Sequence, residues 1–229
     1  MKDEHGRVQI AGFYDDVVPL TAAERKAIDE IPNIEPALMA QFGFSRSEHP
    51  DSRLELQHNL PTLTITGLES GTVSGHGRTI IAASASARLD MRLVVNLTPA
   101  RQFERLVEHI RKQSYFLVDG EPDAKTRAAH PLLASVTRTG GTLPFRTLMD
   151  DPQGKKVSDA LVQFGQVVRL PTIGATGPRG ILSDGLHMPT VGISIVNFDN
   201  NQHGPNENVR IQNLWDGMEI IASVLTLAK

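Results

Sequence analysis

Alternation of apolar and polar positions is strongest between residues 61 and 95. Leu63 and Ile65 alternate with Thr62, Thr64 and Thr66, which predicts a half-buried strand, and residues 67–77 read as a glycine-rich connection. The partner strand is longer. Ala83, Ala85, Ala87, Leu89, Met91, Leu93 and Val95 fall on one face and Ser84, Ser86, Arg88, Asp90 and Arg92 on the other, so the sheet has one wet face. The period then becomes helical. Thr98 suits an N-cap and Pro99 the first helical position. Phe103, Leu106, Val107 and Ile110 form a stripe that should pack on the sheet, with Arg111 and Lys112 near the negative end. Residues 115–118 offer a further strand.

Upstream, residues 7–13 read as a short strand. Thr21-Ala22-Ala23-Glu24 is a capping box opening a helix that Ile31-Pro32 stops, a second helix covers Glu35–Phe42, and the polar stretch 45–59 reads as a loop. Downstream, Asp151-Pro152 repeats the cap-plus-proline signal before a helix marked by Val157, Ala160, Leu161 and Phe164. Residues 167–170 suggest a strand, 171–180 a glycine-rich loop, 181–186 a short helix and 190–196 a buried strand. A final helix carries Ile211, Leu214, Trp215, Met218, Ile221 and Leu225 on its inward face. The expected fold class is therefore α/β. Residues 1–148 form an incomplete ferredoxin-like α+β layer lacking its first strand and helix, and residues 149–229 form a βαβα segment of an α/β domain.

Composition narrows the function. The 229 residues carry a formal charge of -3 with no basic block, which argues against a nucleic-acid or anionic-membrane partner. There is no cysteine, so a metal would have to be held by His, Asp or Glu, and a cytoplasmic location is expected. No apolar run approaches the roughly 20 residues of a membrane span, and Met1-Lys2-Asp3-Glu4-His5 lacks the apolar core of a signal peptide.

The stretch from Asn197 to Asn208, Asn-Phe-Asp-Asn-Asn-Gln-His-Gly-Pro-Asn-Glu-Asn, joins the apolar run ending at Val196 to the last helix. Strand ends that feed helices are where open α/β sheets place their chemistry. Read alone, His203 is either a loop histidine that caps or hydrogen-bonds, or a neutral imidazole ligand to a metal such as zinc. Glu207 is expected to favour the positive end of the helix that follows. Asp184, His187, Asp199 and Glu207 are less suited as companion ligands.

Together these landmarks resemble the aminoacylase, carnosine dipeptidase and glutamate carboxypeptidase family of dinuclear zinc hydrolases. The resemblance runs over most of the chain. Gly6-Arg7-Val8-Gln9-Ile10-Ala11-Gly12-Phe13-Tyr14-Asp15-Asp16-Val17 is similar to a segment inside the family's lid, the domain inserted for dimerisation. Arg78-Thr79-Ile80-Ile81-Ala82 and Leu89-Asp90-Met91-Arg92-Leu93-Val94 are similar to its Thr-x-Ile-Pro and Asp-x-Arg-Leu-Val pair, with Ala82 and Val95 where the family has prolines. The resemblance implies that Thr79 and Arg92 reach into the partner subunit's active site to hold a substrate carboxylate. A guanidinium suits that task, whereas the residue pattern alone also allows a solvated arginine.

Two loops compete for the family's Gly-Gly-Ser-x-Pro substrate loop: Gly140-Gly141-Thr142-Leu143-Pro144 and Gly174-Ala175-Thr176-Gly177-Pro178. The second follows a helix and a strand and places Thr176 27 residues before His203, close to the family's interval, so Gly174 and Thr176 become the substrate-binding candidates. His203 matches the last metal ligand, in a segment similar to the family's His-x-Pro-Asn-Glu ending.

The family hydrolyses amide bonds with two zinc ions and a glutamate base, whose other ligands come from a His-x-Asp strand end, a Glu-Glu pair and a further aspartate upstream of the lid. No Glu-Glu pair occurs here, and His49-Pro50-Asp51, a His-x-Asp triplet, sits in a polar loop with no strand before it. The resemblance therefore implies part of a zinc-dependent dipeptidase or deacylase, acting on a small peptide or an N-acyl amino acid, inactive alone and able to form a homodimer through its lid. The alternatives are a non-enzymatic dimerisation module and one half of a two-chain enzyme.

Overall fold

The antiparallel ribbon expected between residues 61 and 95 frames the first of two units in this computed structural model, which describes residues 1–71, 79–174, 185–186 and 188–227. In chain order the helices are α1 (Ala22–Asp29), α2 (Glu35–Phe42), α3 (Leu54–Gln57), α4 (Pro99–Lys112), α5 (Ala124–Ala129), α6 (Pro152–Leu161) and α7 (Ile211–Leu225). The strands are β1 (Thr62–Ser70), β2 (Ala85–Arg92), β3 (Phe116–Leu117) and β4 (Leu133–Ala134). The first unit takes Met1–Pro19, Ile34–Phe145 and the described part of Thr172–Gly180. The second takes Leu20–Asn33, Arg146–Pro171 and the described part of Ile181–Lys229. The architecture is mixed α/β with small sheets.

In the first unit Leu63 pairs with Met91 and Ile65 with Leu89. A register shift between Ile65 and Gly67 absorbs Thr66 as an extra residue, so β1 runs on to Ser70 instead of ending at Gly67. Leu63 is buried with Val8, Ile10, Phe13 and Leu106, and Leu89, Met91 and Ile110 pack around them. Full burial of each such side chain is worth about 1.5–3 kcal/mol, which ties α4 to the ribbon as its apolar stripe anticipates. The cap is also as expected, with Thr98 Oγ1 accepting from the Arg101 N–H at 3.3 Å.

The deepest polar residue of α4 was not expected. Gln102 is buried because its Nε2 donates to the Phe13 carbonyl at 3.1 Å. Residues 7–13 form no ladder strand. Apart from a Lys2–Val8 bridge, the hydrogen bonds their backbone makes are to turns and side chains, with Tyr14 Oη taking the Val8 N–H at 3.0 Å. Arg105 Nη2 and Arg101 Nε meet the Asp16 carboxylate at 2.7 and 3.0 Å, and Asn96 Nδ2 donates to the Asp16 carbonyl. The segment similar to the family's lid motif is thus a clamped turn carrying core residues. The strand expected at 115–118 shrinks to β3 and pairs in parallel with β4, away from the β1–β2 ribbon.

In the second unit the capping box of α1 forms as read: Glu24 N donates to Thr21 Oγ1 at 3.2 Å and Thr21 N to Glu24 Oε2 at 2.7 Å. Glu24 is fully buried, and its Oε1 faces Arg146 Nε at 3.2 Å as an ion pair without hydrogen-bond geometry. Asp151 caps α6 through the Gln153 and Gly154 N–H groups. Stretches 167–170 and 190–196 join no ladder among the described residues. A lone extended segment has no neighbouring strand to take its backbone groups, and side chains substitute. Thr147 Oγ1 donates to Thr190 O and accepts from Thr190 N, while Asn213 Nδ2 donates to Ile195 O. Gly217 lets α7 approach Ile195 so closely that a Cβ there would lie 2.9 Å from its Cδ1. The apolar stripe of α7 forms but is not covered: Ile211, Leu214, Trp215, Met218, Ile221 and Leu225 are each 41–80% exposed. No helix among the described residues is long and apolar enough to cross a membrane.

Candidate functional site

A cavity of about 610 Å³ opens within the first unit, and two of the residues singled out in the sequence line it. Arg92 arrives as the last residue of β2, where Asp90 Oδ2 accepts from its Nε at 2.9 Å and orients the guanidinium on the wet face of the ribbon. Gly174 arrives from the loop after Pro171. Its φ of +65° is a left-handed conformation that glycine adopts without strain, and its N–H donates to Thr172 Oγ1 at 3.2 Å.

The remaining wall comes from residues the sequence reading passed over. Helix α3, inside the stretch taken as a loop, carries His58 at its C-terminal end beside Gly174, with the imidazole Cδ2 3.5 Å from where a Cβ on that glycine would sit. Burial holds His58 below the usual histidine value of 6.5, partly opposed by the Glu55 carboxylate. Lys2, Arg7 and His49 add positive or titratable groups, and Glu48, paired with Lys2 Nζ at 2.8 Å, adds a negative one. Arg7 stacks over the Tyr14 ring at 4.5 Å. The legible signal for this wall was His49 and His58 flanking a four-residue helix, too short to show a helical period.

The other candidates lie elsewhere. Thr79 sits on an exposed bend between β1 and β2 and does not line the cavity. Thr176, Asp184 and His187 lie outside the described residues. His203 belongs to the second unit, where it is exposed with a left-handed φ of +63°. Glu207 does not reach the first turn of α7. Its Oε2 accepts from the His203 N–H at 3.3 Å, and the helix begins four residues later with Arg210 as N-cap.

The loop around His203 is an asparagine network. Asn197 Nδ2 donates to Asp199 Oδ1 at 2.8 Å and its Oδ1 accepts from Arg210 N at 3.0 Å, which ties the loop to the helix start. The Asn197 hydrogen bond, with the Arg210 guanidinium, holds the Asp199 carboxyl below its ordinary value. Among the described residues no three His, Asp or Glu side chains converge as a metal cage. One exposed imidazole whose nearest acid is spent on its own backbone does not fit a dinuclear zinc site.

The ribbon and the helix packed on it fall in the part of the chain that is similar to a peptidase dimerisation domain. Residues 46–116 match the M20 peptidase dimerisation domain. The chain is 28% identical over 182 residues to the Cys-Gly metallodipeptidase of Candida albicans, covering 68% of this chain and 37% of that relative. The human Beta-Ala-His dipeptidase is 24% identical over 228 residues, 96% of this chain and 42% of that one. An M20 family metallo-carboxypeptidase from Sulfolobus solfataricus superposes with a TM-score of 0.78 at 27% identity, covering 98% of this chain and 49% of that structure. Human carnosine dipeptidase 1 shares the fold, with a TM-score of 0.76 at 21% identity over 98% of this chain and 46% of its own. The chain is similar to M20 metallopeptidases and spans less than half the length of these relatives.

Proposed function

We propose that this chain supplies the dimerisation lid and the carboxylate-holding wall of a zinc-dependent dipeptidase or deacylase, and that it does not turn over substrate alone. The observation that carries the reading is a cavity whose lining, within one unit, includes both Arg92 and Gly174. A guanidinium offers paired donors to a carboxylate, and a glycine at the start of the loop lets backbone approach the ligand. The substrate class is a small peptide or N-acyl amino acid. Thr79 and Thr176 are proposed as further contacts, His203 as one metal ligand, and the lid as a homodimer surface in a cytoplasmic protein.

Inactivity of the isolated chain rests on its donor set. Two zinc ions need several His, Asp and Glu ligands, and His203 alone cannot supply them. Zinc titration by calorimetry should give weak binding, and dipeptide with zinc should release no free amino acid. Tight stoichiometric zinc with turnover would overturn the reading. The exposed stripe on α7 favours a complemented enzyme over a self-contained dimerisation module, because a self-sufficient domain buries such a face.

A further inference from the structure

We propose that His58 is a third ligand-facing group of the first unit's cavity: a neutral imidazole whose Nε2–H donates a hydrogen bond to a carboxylate or peptide oxygen seated against Gly174 and Arg92. This rests on reading the cavity as substrate-facing.

Three observations converge on it. His58 lines the same cavity as Arg92 and Gly174, and its ring edge lies against the glycine, so a ligand approaching the loop start passes that edge. The Nδ1 atom is buried with no hydrogen-bond partner among the described residues. An orphaned buried N–H is rarer than an under-satisfied acceptor, so the ring proton belongs on Nε2, leaving Nδ1 as a bare lone pair. The imidazole is also held below its ordinary pKa by burial, so near neutrality it is an uncharged donor in a cavity that a permanent cation also lines. Such a pair suits an oxygen ligand: the arginine supplies the charge and the histidine fixes direction without a second charge to desolvate. Gly174 completes the geometry, because glycine adopts its left-handed φ without strain and leaves open the place where the ligand would meet the ring.

The test uses the whole chain and glycylglycine as the probe, with binding followed by NMR. The long-range nitrogen–proton spectrum of the imidazoles should show His58 as the Nε2-protonated tautomer, with its Nε2 resonance moving as glycylglycine is added. His58→Ala should weaken glycylglycine about tenfold or more, as loss of one hydrogen bond to a charged oxygen implies, whereas His58→Gln, which keeps a donor at similar reach, should stay close to wild type. An Nδ1-protonated ring overturns the proposal whether or not the variants fold. Unchanged affinity in His58→Ala alongside lost affinity in Arg92→Ala overturns it while leaving the cavity's role intact. No glycylglycine binding to the wild-type chain removes both.

Discussion

Glu24 does two jobs at once, and the consequence can be measured. Its Oε2 closes the capping box on Thr21 while Oε1 faces Arg146, and the side chains of Glu24 and Arg146 are both nearly dry. Replacing Arg146 by Met leaves a buried carboxylate without its counter-charge, so a loss of about 3–5 kcal/mol is expected in urea denaturation. The capping box was legible because it is local in sequence. The ion pair was not, because nothing in the spacing of Glu24 and Arg146 marks residues 122 apart as neighbours. His58 gives a pH prediction. Its folded-state pKa is depressed, so below 6.5 the unfolded chain binds the proton more readily. Stability should therefore fall as pH drops from 6.5 toward the lower folded value and level off below it. His58→Gln should remove that part of the acid dependence in denaturation curves taken across the window.

Elements with a clear period and a local stop were readable. The Thr98–Pro99 start of α4, the Asp151–Pro152 start of α6 and the Leu63/Ile65 alternation of β1 each depend on residues within a turn or two of one another. Thr98→Ala should cost about 1 kcal/mol through the lost Arg101 contact, and Leu63→Ala about 2–5 kcal/mol, because that side chain is 1% exposed; both are read from chemical denaturation midpoints. What failed were elements whose identity depends on a neighbour. Residues 190–196 have strand-like composition, yet a strand exists only where another chain segment accepts its hydrogen bonds, and here Thr147 and Asn213 do so. Helix α3 was missed for the opposite reason: four residues are shorter than the period used to detect a helix. The site divided along the same line. Arg92 and the Gly174 loop carry local motifs, whereas the histidines that share their cavity do not.

At the scale of the molecule the open face of α7 is the most testable feature. Trp215 is the chain's single tryptophan and is 53% exposed, so its fluorescence should be strongly quenched by acrylamide and should shift to the blue when a polypeptide carrying the remaining ligands covers the helix. Unchanged emission on adding such a polypeptide would contradict the complemented-enzyme reading. The second unit also draws on Leu20–Asn33, Arg146–Pro171 and the described part of Ile181–Lys229, so its earliest helix waits for residues made much later. On the ribosome, α1 emerges with a carboxylate whose counter-charge has yet to be translated, and it must stay hydrated until Arg146 leaves the exit tunnel. Emergence of Arg146, rather than of α1 itself, then sets when this helix can become resistant to proteases.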